Sequence, residues 1–123
     1  MKKAFYIFLY FALISTSKTY AADVLNRIDY VKSYSTYAIE NMRMYKVPAS
    51  ITLAQGILES GAGNSELAKK SNNHFGIKCG SKWKGGKTYH DDDAKGECFR
   101  TYKSVLESYN DHSKFLTQNK RYN

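Results

Sequence analysis

The sequence has no apolar run long enough to span a bilayer. Its longest run, Ala4–Ile14, has 11 residues, whereas a transmembrane helix needs about 20. Two lysines precede this run, and Thr19-Tyr20-Ala21 follows it with small residues at the two positions that a signal peptidase reads. We therefore predict a secretory signal over residues 1–21 and a mature chain that begins near Ala22. A retained membrane anchor is the alternative that the pattern leaves open.

Cysteine is also scarce, with Cys79 and Cys98 alone in the chain. A metal site would need further ligands, and the three histidines, His74, His90 and His112, have neither the spacing of a metal site nor that of a Cys–His nucleophilic pair. In an oxidising compartment, an even pair of cysteines in a small domain is expected to be bridged. We predict a Cys79–Cys98 disulfide, which closes a loop of about 20 residues and stabilises the domain by roughly 3 kcal/mol.

Acidic residues are fewer than basic ones, 11 against 19. Three of the basic residues lie in the predicted signal, so the mature chain carries a net charge of about +5. A basic secreted domain is attracted to anionic surfaces, which in a bacterial setting include cell-wall polymers and phospholipid. The lysines are scattered and form no stripe with interleaved aromatic residues, so the pattern argues against nucleic acid as the partner.

Several other signatures are missing as well. No serine stands in a nucleophile-elbow context, no glycine-rich phosphate loop is present, and no internal repeat, linker or low-complexity segment divides the chain. The mature part of about 102 residues therefore predicts one small domain. Hydrolysis by carboxyl groups, without a cofactor, is the chemistry that the remaining residues support.

Helical periodicity dominates what is present. From Val24 to Tyr45, apolar residues recur at steps of three and four and predict a long amphipathic helix. Pro48 suits the start of a second helix, which would end at Gly61 and Gly63. The residues predicted to face the core are Leu25, Ile28, Val31, Tyr34, Ala38, Met42 and Tyr45 in the first helix, and Ile51, Ala54, Ile57 and Leu58 in the second.

A short third helix and a loop are predicted next. The helix would be capped by Asn64 or Ser65, both of which have side chains that can accept from the first free N–H groups, and would run to Lys70. Residues 72–86 are rich in glycine and asparagine, which predicts a loop.

The remaining chain combines a hairpin with a last helix. Residues 87–102 contain strand-favouring residues on both sides of a turn at 93–96. Ser104 and Glu107 form the pattern of a capping box. The predicted buried face of the helix that follows consists of Leu106, Tyr109, Ser113 and Leu116.

One acidic side chain, Glu59, lies where the second helix breaks into Ser60-Gly61-Ala62-Gly63. The last turn of a helix carries the negative end of the macrodipole, and the apolar neighbours Ile57 and Leu58 are predicted to be buried. Both features favour the protonated carboxyl group, which is what a general acid for glycosidic cleavage requires. An ordinary solvated glutamate near a helix end is the alternative.

Four blocks of sequence occur in order around this residue: VPASITLAQGILESGAGNSELA, NNHFGIKC, WKGGK and CFRTYKSVLESYNDHSKFL. Together they closely resemble the bacterial glucosaminidase domains that cut peptidoglycan, glycoside hydrolase family 73. The resemblance spans about residues 45–122. It implies an α+β, lysozyme-like fold, mainly helical, in which a small β-hairpin lobe and a helical lobe flank a groove for the glycan.

The resemblance also implies roles for individual residues. It implies that Glu59 is the catalytic general acid and that the bond cut is the β-1,4 bond between N-acetylglucosamine and N-acetylmuramic acid. Asn73, Phe75 and Trp83 would lie near the groove as substrate-binding residues, because aromatic side chains suit the apolar C–H faces of sugar rings. Phe75 is explained equally well as a core residue.

Members of this family commonly have a second acidic residue, a glutamate in the hairpin, where this chain has TYHDDDAKGE. Our candidates for its catalytic role are Asp91 and Asp92, with Asp93 as a turn residue and Glu97 as a weaker candidate. A solvated acidic turn is the alternative. The same segment fits a calcium loop badly, because Lys95 stands where an oxygen ligand is needed, so no metal is expected.

Domains of this family usually continue past the Arg121-Tyr122 pair with another helix, whereas this sequence stops at Asn123. Either the fold closes differently here or residues 22–123 are a truncated domain. We predict a secreted or periplasmic, monomeric peptidoglycan hydrolase without a cofactor, which acts on glycan strands and has no stable membrane insertion. Two alternatives stay open: a non-catalytic module that binds wall glycans, and a lytic transglycosylase, in which the muramyl hydroxyl is the internal nucleophile.

Overall fold

The structure, a computed structural model, describes the backbone of residues 2–118 and the side chains of residues 19–118. The elements in chain order are helices α1 (Lys2–Tyr45), α2 (Ala49–Ser60) and α3 (Glu66–Ser71), strands β1 (Gly86–His90) and β2 (Glu97–Thr101), and helix α4 (Val105–Gln118). This order confirms the predicted α+β architecture, mainly helical with a small hairpin. The predicted boundary at Asn123 and most side chains of the predicted signal segment lie outside the described residues.

Helix α1 runs without a break through Ala22, where we predict that the mature chain begins. Among the described residues, no helix is long and apolar enough to cross a membrane. The division of the chain into a signal over residues 1–21 and a domain over residues 22–123 stays a prediction.

The ends of the other helices are where local chemistry predicts them. Gly61 ends α2 in the left-handed conformation, with a φ of 55° that glycine adopts without steric cost. Ser65 caps α3 by accepting a hydrogen bond from the Ala68 N–H group at 3.1 Å. Ser104 Oγ accepts from the Glu107 N–H group at 3.3 Å at the start of α4. The predicted caps are therefore confirmed.

The buried face of α1 differs from the predicted one. Tyr34, Ala38 and Tyr45 are wholly or partly buried as expected, but the other four predicted residues are exposed: Leu25, Ile28, Val31 and Met42. Tyr30 and Asn41 are buried instead. The Asn41 amide Nδ2 donates to Asn110 Oδ1 on α4 at 3.0 Å, which satisfies its buried donor end, whereas Asn41 Oδ1 is buried without a hydrogen-bond partner among the described residues.

The prediction for the core face of α2 is largely wrong. Of its four predicted inward residues, Ile57 is partly buried and the other three are exposed: Ile51, Ala54 and Leu58. The positions that α2 does bury, one per turn, are Thr52, Gly56 and Ser60. A Cβ atom at position 56 would overlap the Tyr30 hydroxyl group, so glycine is what lets α1 pack this closely against α2. Small polar residues form this helix contact, and a pattern of apolar residues does not reveal it.

A chain of hydroxyl groups links α1, the loop after α3, and α4 in the core. The Tyr109 O–H group donates to Tyr30 Oη at 3.0 Å, and the Tyr30 O–H group donates to His74 Nδ1 at 2.9 Å. Burial lowers the pKa of His74 to about 4, so the ring is neutral and its Nδ1 is free to accept. The apolar core around this chain comprises Ala38, Phe75, Ile77 and Tyr109.

The two strands pair antiparallel along their whole length. The loop segment 77–79 follows β2 as well, because Arg100 N donates to Ile77 O at 3.0 Å and Cys79 N donates to Cys98 O at 2.9 Å. The predicted Cys79–Cys98 disulfide is present, with the two Cα atoms 5.5 Å apart. Loop and hairpin are thus joined by both hydrogen bonds and a covalent bond.

Candidate active site

An open groove of about 440 Å³ lies between α2, the loop after α3, and α4. Helix α2 supplies Gln55 and Glu59, which are one turn apart and therefore on the same face. The lining residues are Gln55, Glu59, Phe75, Gly76, Ile77, Lys78, Gly80, Arg100, His112, Phe115 and Leu116. We call this space the Glu59 groove. Glu59 is the one carboxylate among these described lining residues.

Glu59 lies in the last turn of α2 and is exposed to solvent. The backbone at Gly76, with a φ of 59°, passes so close that a Cβ atom there would lie 3.7 Å from Glu59 Oε2. The burial expected for its neighbours is found only in part, because Ile57 is partly buried but Leu58 is 74% exposed. Within the described part of the chain, Glu59 has no hydrogen bond or ion pair. Its carboxyl oxygens are therefore available to a ligand.

Helix α4 contributes His112 to the groove. The imidazole ring stacks on Phe75 with the ring centroids 4.0 Å apart, and Nε2 donates to Gln55 Oε1 at 2.8 Å. Burial lowers the pKa of His112 to about 4, so the ring is neutral at neutral pH. Phe75 itself is 7% exposed and also belongs to the core. Phe75 is therefore both a core residue and a lining residue of the Glu59 groove. Its role in substrate binding stays a prediction.

Lys78 connects the Glu59 groove with the hairpin. Its Nζ atom lies 2.9 Å from the Glu97 carboxylate, 3.1 Å from Asp93 and 3.5 Å from Asp92. The hydrogen bonds to Glu97 and Asp93 raise the pKa of Lys78, and the bond to Lys78 lowers the pKa of Glu97. Oxygens of the three acids lie within 4.8 Å of one another, a spacing that could hold a metal ion. The ammonium group of Lys78 is the cation that they surround.

Neither candidate for the second acid lines the Glu59 groove. Asp91 Oδ1 accepts from the Gly96 N–H group at 2.8 Å across the turn, and Asp92 is one of the partners of Lys78. Asp93 lies in the turn with a side chain that is 88% exposed. The geometry gives Asp91 and Asp92 contacts within the hairpin turn, and their catalytic role stays a prediction.

Asn73 is fully buried and bonded to backbone through both ends of its amide group. Its Nδ2 donates to Arg100 O at 2.8 Å and to Ile77 O at 3.1 Å, while its Oδ1 accepts from Ile77 N at 3.1 Å. These bonds hold the turn that carries Phe75 and Gly76 into the groove. Any influence of Asn73 on a substrate therefore passes through the shape of this loop.

A second groove, of about 390 Å³, adjoins the first and contains the predicted aromatic residue Trp83. The indole Nε1 donates to Gly86 O at 2.9 Å, and the Arg100 guanidinium carbon lies 4.6 Å from the ring centroid. These contacts fix the orientation of the ring. The lining residues are Lys82, Trp83, Arg100, Asp111, Lys114, Phe115 and Gln118. We call this space the Trp83 groove.

Four polar or charged residues of the Glu59 groove were missed as site residues: Gln55, Lys78, Arg100 and His112. Gln55 has a signal in the sequence, because it precedes Glu59 by four residues on the same helix. His112 also has one, three residues after Tyr109 on the predicted buried face of α4. The positions of Lys78 and Arg100 depend on how the loop lies along β2, and no local pattern indicates it.

Comparison with known families matches residues 35–123 to the profile of the glucosaminidase family, described as mannosyl-glycoprotein endo-beta-N-acetylglucosaminidase. The match covers well over half of the chain. The chain belongs to the glucosaminidase family. The glucosaminidase relatives include the peptidoglycan hydrolase FlgJ of Vibrio cholerae, which is 36% identical over 108 residues, and the exo-glucosaminidase LytG of Bacillus subtilis, which is 38% identical over 100 residues.

Solved structures agree with this assignment. A peptidoglycan hydrolase from Sphingomonas sp. A1 superposes with a TM-score of 0.69 at 30% identity, over 76% of this chain and 64% of that one. The glycoside hydrolase domain of FlgJ from Salmonella typhimurium superposes with a TM-score of 0.67 at 35% identity, over 78% of this chain and 64% of that one. The glucosaminidase chain described here therefore has the lysozyme-like fold of these glycoside hydrolases.

The glucosaminidase chain matches only part of each curated relative. The alignment covers 79% of this chain and 32% of the Vibrio cholerae protein, and 76% of this chain and 36% of the Bacillus subtilis protein. The chain thus spans about a third of the length of these relatives.

Proposed function

We propose that this glucosaminidase cleaves peptidoglycan at the β-1,4 bond between N-acetylglucosamine and N-acetylmuramic acid, with Glu59 as general acid. The observation that carries the proposal is the position of Glu59. It is the one carboxylate among the described residues that line an open groove of about 440 Å³, and within the described chain it has no internal partner. A groove of this kind accepts a polymer from the side, as an internal bond of a glycan strand requires.

The chemistry needs a proton donor at the glycosidic oxygen. As the C–O bond breaks, the leaving sugar oxygen takes the proton of the Glu59 carboxyl group, and positive charge develops on the sugar ring that remains. The nearby His112 is neutral because of its burial, so it adds no positive charge that would oppose the oxocarbenium-like state. The two cations of the groove are Lys78 and Arg100, and each is paired with carboxylates of the protein.

Glycan binding would rest on apolar surface next to these groups. Phe75, Phe115 and Leu116 line the Glu59 groove, and Trp83 offers an aromatic ring in the adjoining groove. Sugar rings bind to such surfaces through their apolar C–H faces. Asn73 would support binding by holding the loop that carries Phe75.

The predicted secretory signal fits this substrate. Peptidoglycan lies outside the cytoplasm, and a signal over residues 1–21 would export the domain to it. An oxidising compartment also suits the Cys79–Cys98 disulfide. We therefore place the proposed activity in the cell wall.

A second candidate reaction follows from the number of carboxylates in the groove. Glu59 lines it and the hairpin acids Asp91 and Asp92 do not. A lytic transglycosylase needs a single acid/base, because the muramyl hydroxyl group is the internal nucleophile. This arrangement therefore keeps the transglycosylase as the alternative within the same fold.

The test is mass spectrometry of purified peptidoglycan digested by the mature protein. We expect a reducing N-acetylglucosamine end, which contains the oxygen of the attacking water. An anhydro-muramyl end would show that the protein is a lytic transglycosylase and not a hydrolase. Binding without any product would show that the chain is a non-catalytic module and would overturn the proposal. The Glu59→Gln variant, assayed in parallel, should release product more slowly by about 10²-fold or more, and a mock purification without the protein measures any contaminating enzyme.

A further inference from the structure

The Trp83 groove has a surplus of positive charge that the hydrolytic reaction does not use. Its ionisable lining residues are Lys82, Arg100, Asp111 and Lys114. Arg100 and Asp111 neutralise each other, with Nη1 and Oδ2 2.8 Å apart. Lys82 and Lys114 are exposed and have no ion pair within the described part of the chain. Two positive charges are therefore free beside an aromatic ring.

Arg100 is less available to an anion than the two lysines, because Asp111 neutralises its charge and three of its five guanidinium N–H groups are bonded within the protein. Nη1 donates to Asp111, Nε donates to Lys78 O at 3.1 Å, and Nη2 donates to Cys79 O at 3.3 Å. Its role in this groove is to hold Trp83 from one side. Recognition of an anion would therefore fall to the two lysines.

The two grooves form one continuous surface. Arg100 and Phe115 line both of them, so a chain that lies over Glu59 reaches Trp83 without leaving the protein. A ligand that fills both grooves must offer sugar rings to the aromatic side chains and negative charge to the lysines. Peptidoglycan has both, because every second sugar bears a lactyl ether that ends in a carboxylate or continues into a peptide with carboxylates.

We propose that Lys82 and Lys114 form a subsite for the carboxylates attached to the lactyl ether of the muramyl residue, next to the ring that stacks on Trp83. This inference rests on the proposed function, since it assumes that the glycan occupies the Glu59 groove. The subsite would select acidic wall glycan over neutral glycan of the same length. Exposed ion pairs are individually weak, so the two together should change affinity by roughly tenfold.

The test is equilibrium binding of three tetrasaccharide probes to the Glu59→Gln protein, in which cleavage does not interfere. The first probe is the neutral N-acetylglucosamine tetramer, the second alternates with N-acetylmuramic acid, and the third also bears stem peptides. We expect both acidic probes to bind roughly tenfold more tightly than the neutral one at low salt, with the preference reduced at high salt. The second and third probes distinguish the lactyl carboxylate from those of the peptide.

The Lys82→Gln/Lys114→Gln double variant should lose this preference and keep its affinity for the neutral probe. The matched control is Lys69→Gln/Lys103→Gln, which removes the same charge at two lysines that line neither groove. Equal affinity of the Glu59→Gln protein for all three probes would overturn the inference, and so would an equal loss in the control. A single-stranded DNA oligonucleotide that competes as well as the acidic glycans would instead indicate a general anion site and would also overturn it.

These outcomes are separate from those of the proposed function. Wild-type protein that cuts peptidoglycan, together with a Glu59→Gln protein that binds the three probes equally, would refute the subsite alone. Wild-type protein that binds acidic glycan through the two lysines but never cuts it would refute the hydrolase alone.

Discussion

Carboxylates occur in two parts of this molecule under opposite conditions. Glu59, at the end of α2, has no partner within the described chain and lines an open groove. At the hairpin, Asp92, Asp93 and Glu97 lie within 3.5 Å of the single ammonium group of Lys78. An acid that must give its proton to a substrate cannot at the same time be held by a cation of the protein. The difference separates a carboxylate that can react from carboxylates that organise a turn.

The surroundings reinforce this contrast. The imidazole that lines the same groove as Glu59, that of His112, is neutral because burial lowers its pKa to about 4. In the hairpin, the bond to Lys78 lowers the pKa of Glu97 and keeps it ionised. We expect substitutions to affect activity in the first region and mainly the stability of the turn in the second.

The largest effect is expected from Glu59→Gln. The amide keeps the size and hydrogen bonding of the side chain but cannot donate the proton, so the rate of peptidoglycan cleavage should fall by about 10²-fold or more. Affinity for the glycan should be retained. Glu66→Gln is the control, because Glu66 is exposed and, within the described part of the chain, pairs only with Lys70 on its own helix. Wild-type turnover in the Glu59→Gln protein would refute the assignment.

Acid should destabilise the protein through its buried histidines. The pKa of His112 is about 4 in the folded state and about 6.5 in the unfolded chain, so the unfolded state binds more protons in between. Stability is therefore lost as the pH falls from about 6.5 to 4, by about 3 kcal/mol for His112. His74 has a similarly low pKa and adds to this loss.

The variant that checks this expectation is His112→Phe, whose ring can still stack on Phe75. Urea denaturation at several pH values should show that about half of the acid-dependent loss disappears. The same pH dependence in variant and wild type would mean that other groups cause it.

The next largest effect is expected from removal of the disulfide. Cys79→Ser/Cys98→Ser frees the loop segment from β2, and the free energy of unfolding should fall by about 3 kcal/mol. Chemical denaturation measures it, and wild type treated with reductant should give the same value. A fall in cleavage without a fall in stability would show instead that the bond shapes the Glu59 groove directly.

Smaller changes in turnover are expected if the hairpin acids act only through the turn. In that case Asp91→Asn and Asp92→Asn, which each alter a contact of the turn, should change kcat by less than tenfold, as Asp93→Asn should. A loss of about 10²-fold at Asp91 or Asp92 alone would identify that residue as the second acid and would break the contrast with Glu59.

The smallest effect, a change in the pKa of one carboxyl group, should come from Lys78→Met. The variant removes the cation from the three acids, so the pKa of Glu97 should rise toward its ordinary value, which carboxyl resonances in an NMR titration can follow. A carboxyl group whose pKa is lowered in the folded state stabilises the fold at pH values above its unfolded-state pKa. This contribution is lost as the pH falls through the folded-state pKa. The contribution of Glu97 to the free energy of unfolding, which acid removes in the wild type, should therefore disappear in the Lys78→Met protein. Lys95→Met, at a turn lysine outside the cluster, should leave this titration unchanged.

Local chemistry allowed much of the fold to be predicted. The caps at Ser65 and Ser104 and the left-handed Gly61 depend on a few neighbouring residues, and so do the hairpin and the disulfide partners. The position of Glu59 at a helix end next to a groove follows from the same reasoning, together with the resemblance to a known family.

The inward faces of α1 and α2 could be predicted only in part. Apolar periodicity assigns Leu58 to the core, but the structure exposes Leu58 and buries Ser60 instead. The reason is the contact between Gly56 and the Tyr30 hydroxyl group, which in turn bonds to His74. Such contacts join residues far apart in the chain, and hydropathy treats their polar atoms as exposed.

The disulfide also determines what proteolysis can do to the hairpin. Lys95 is exposed in the turn, which makes its peptide bond to Gly96 a site for a trypsin-like protease. Cys79 precedes that bond and Cys98 follows it, so the two fragments of a cut chain remain covalently attached. A nicked molecule keeps β2 and α4 joined to the part that carries Glu59. Cleavage of the turn would therefore be visible on a reducing gel and invisible on a non-reducing one.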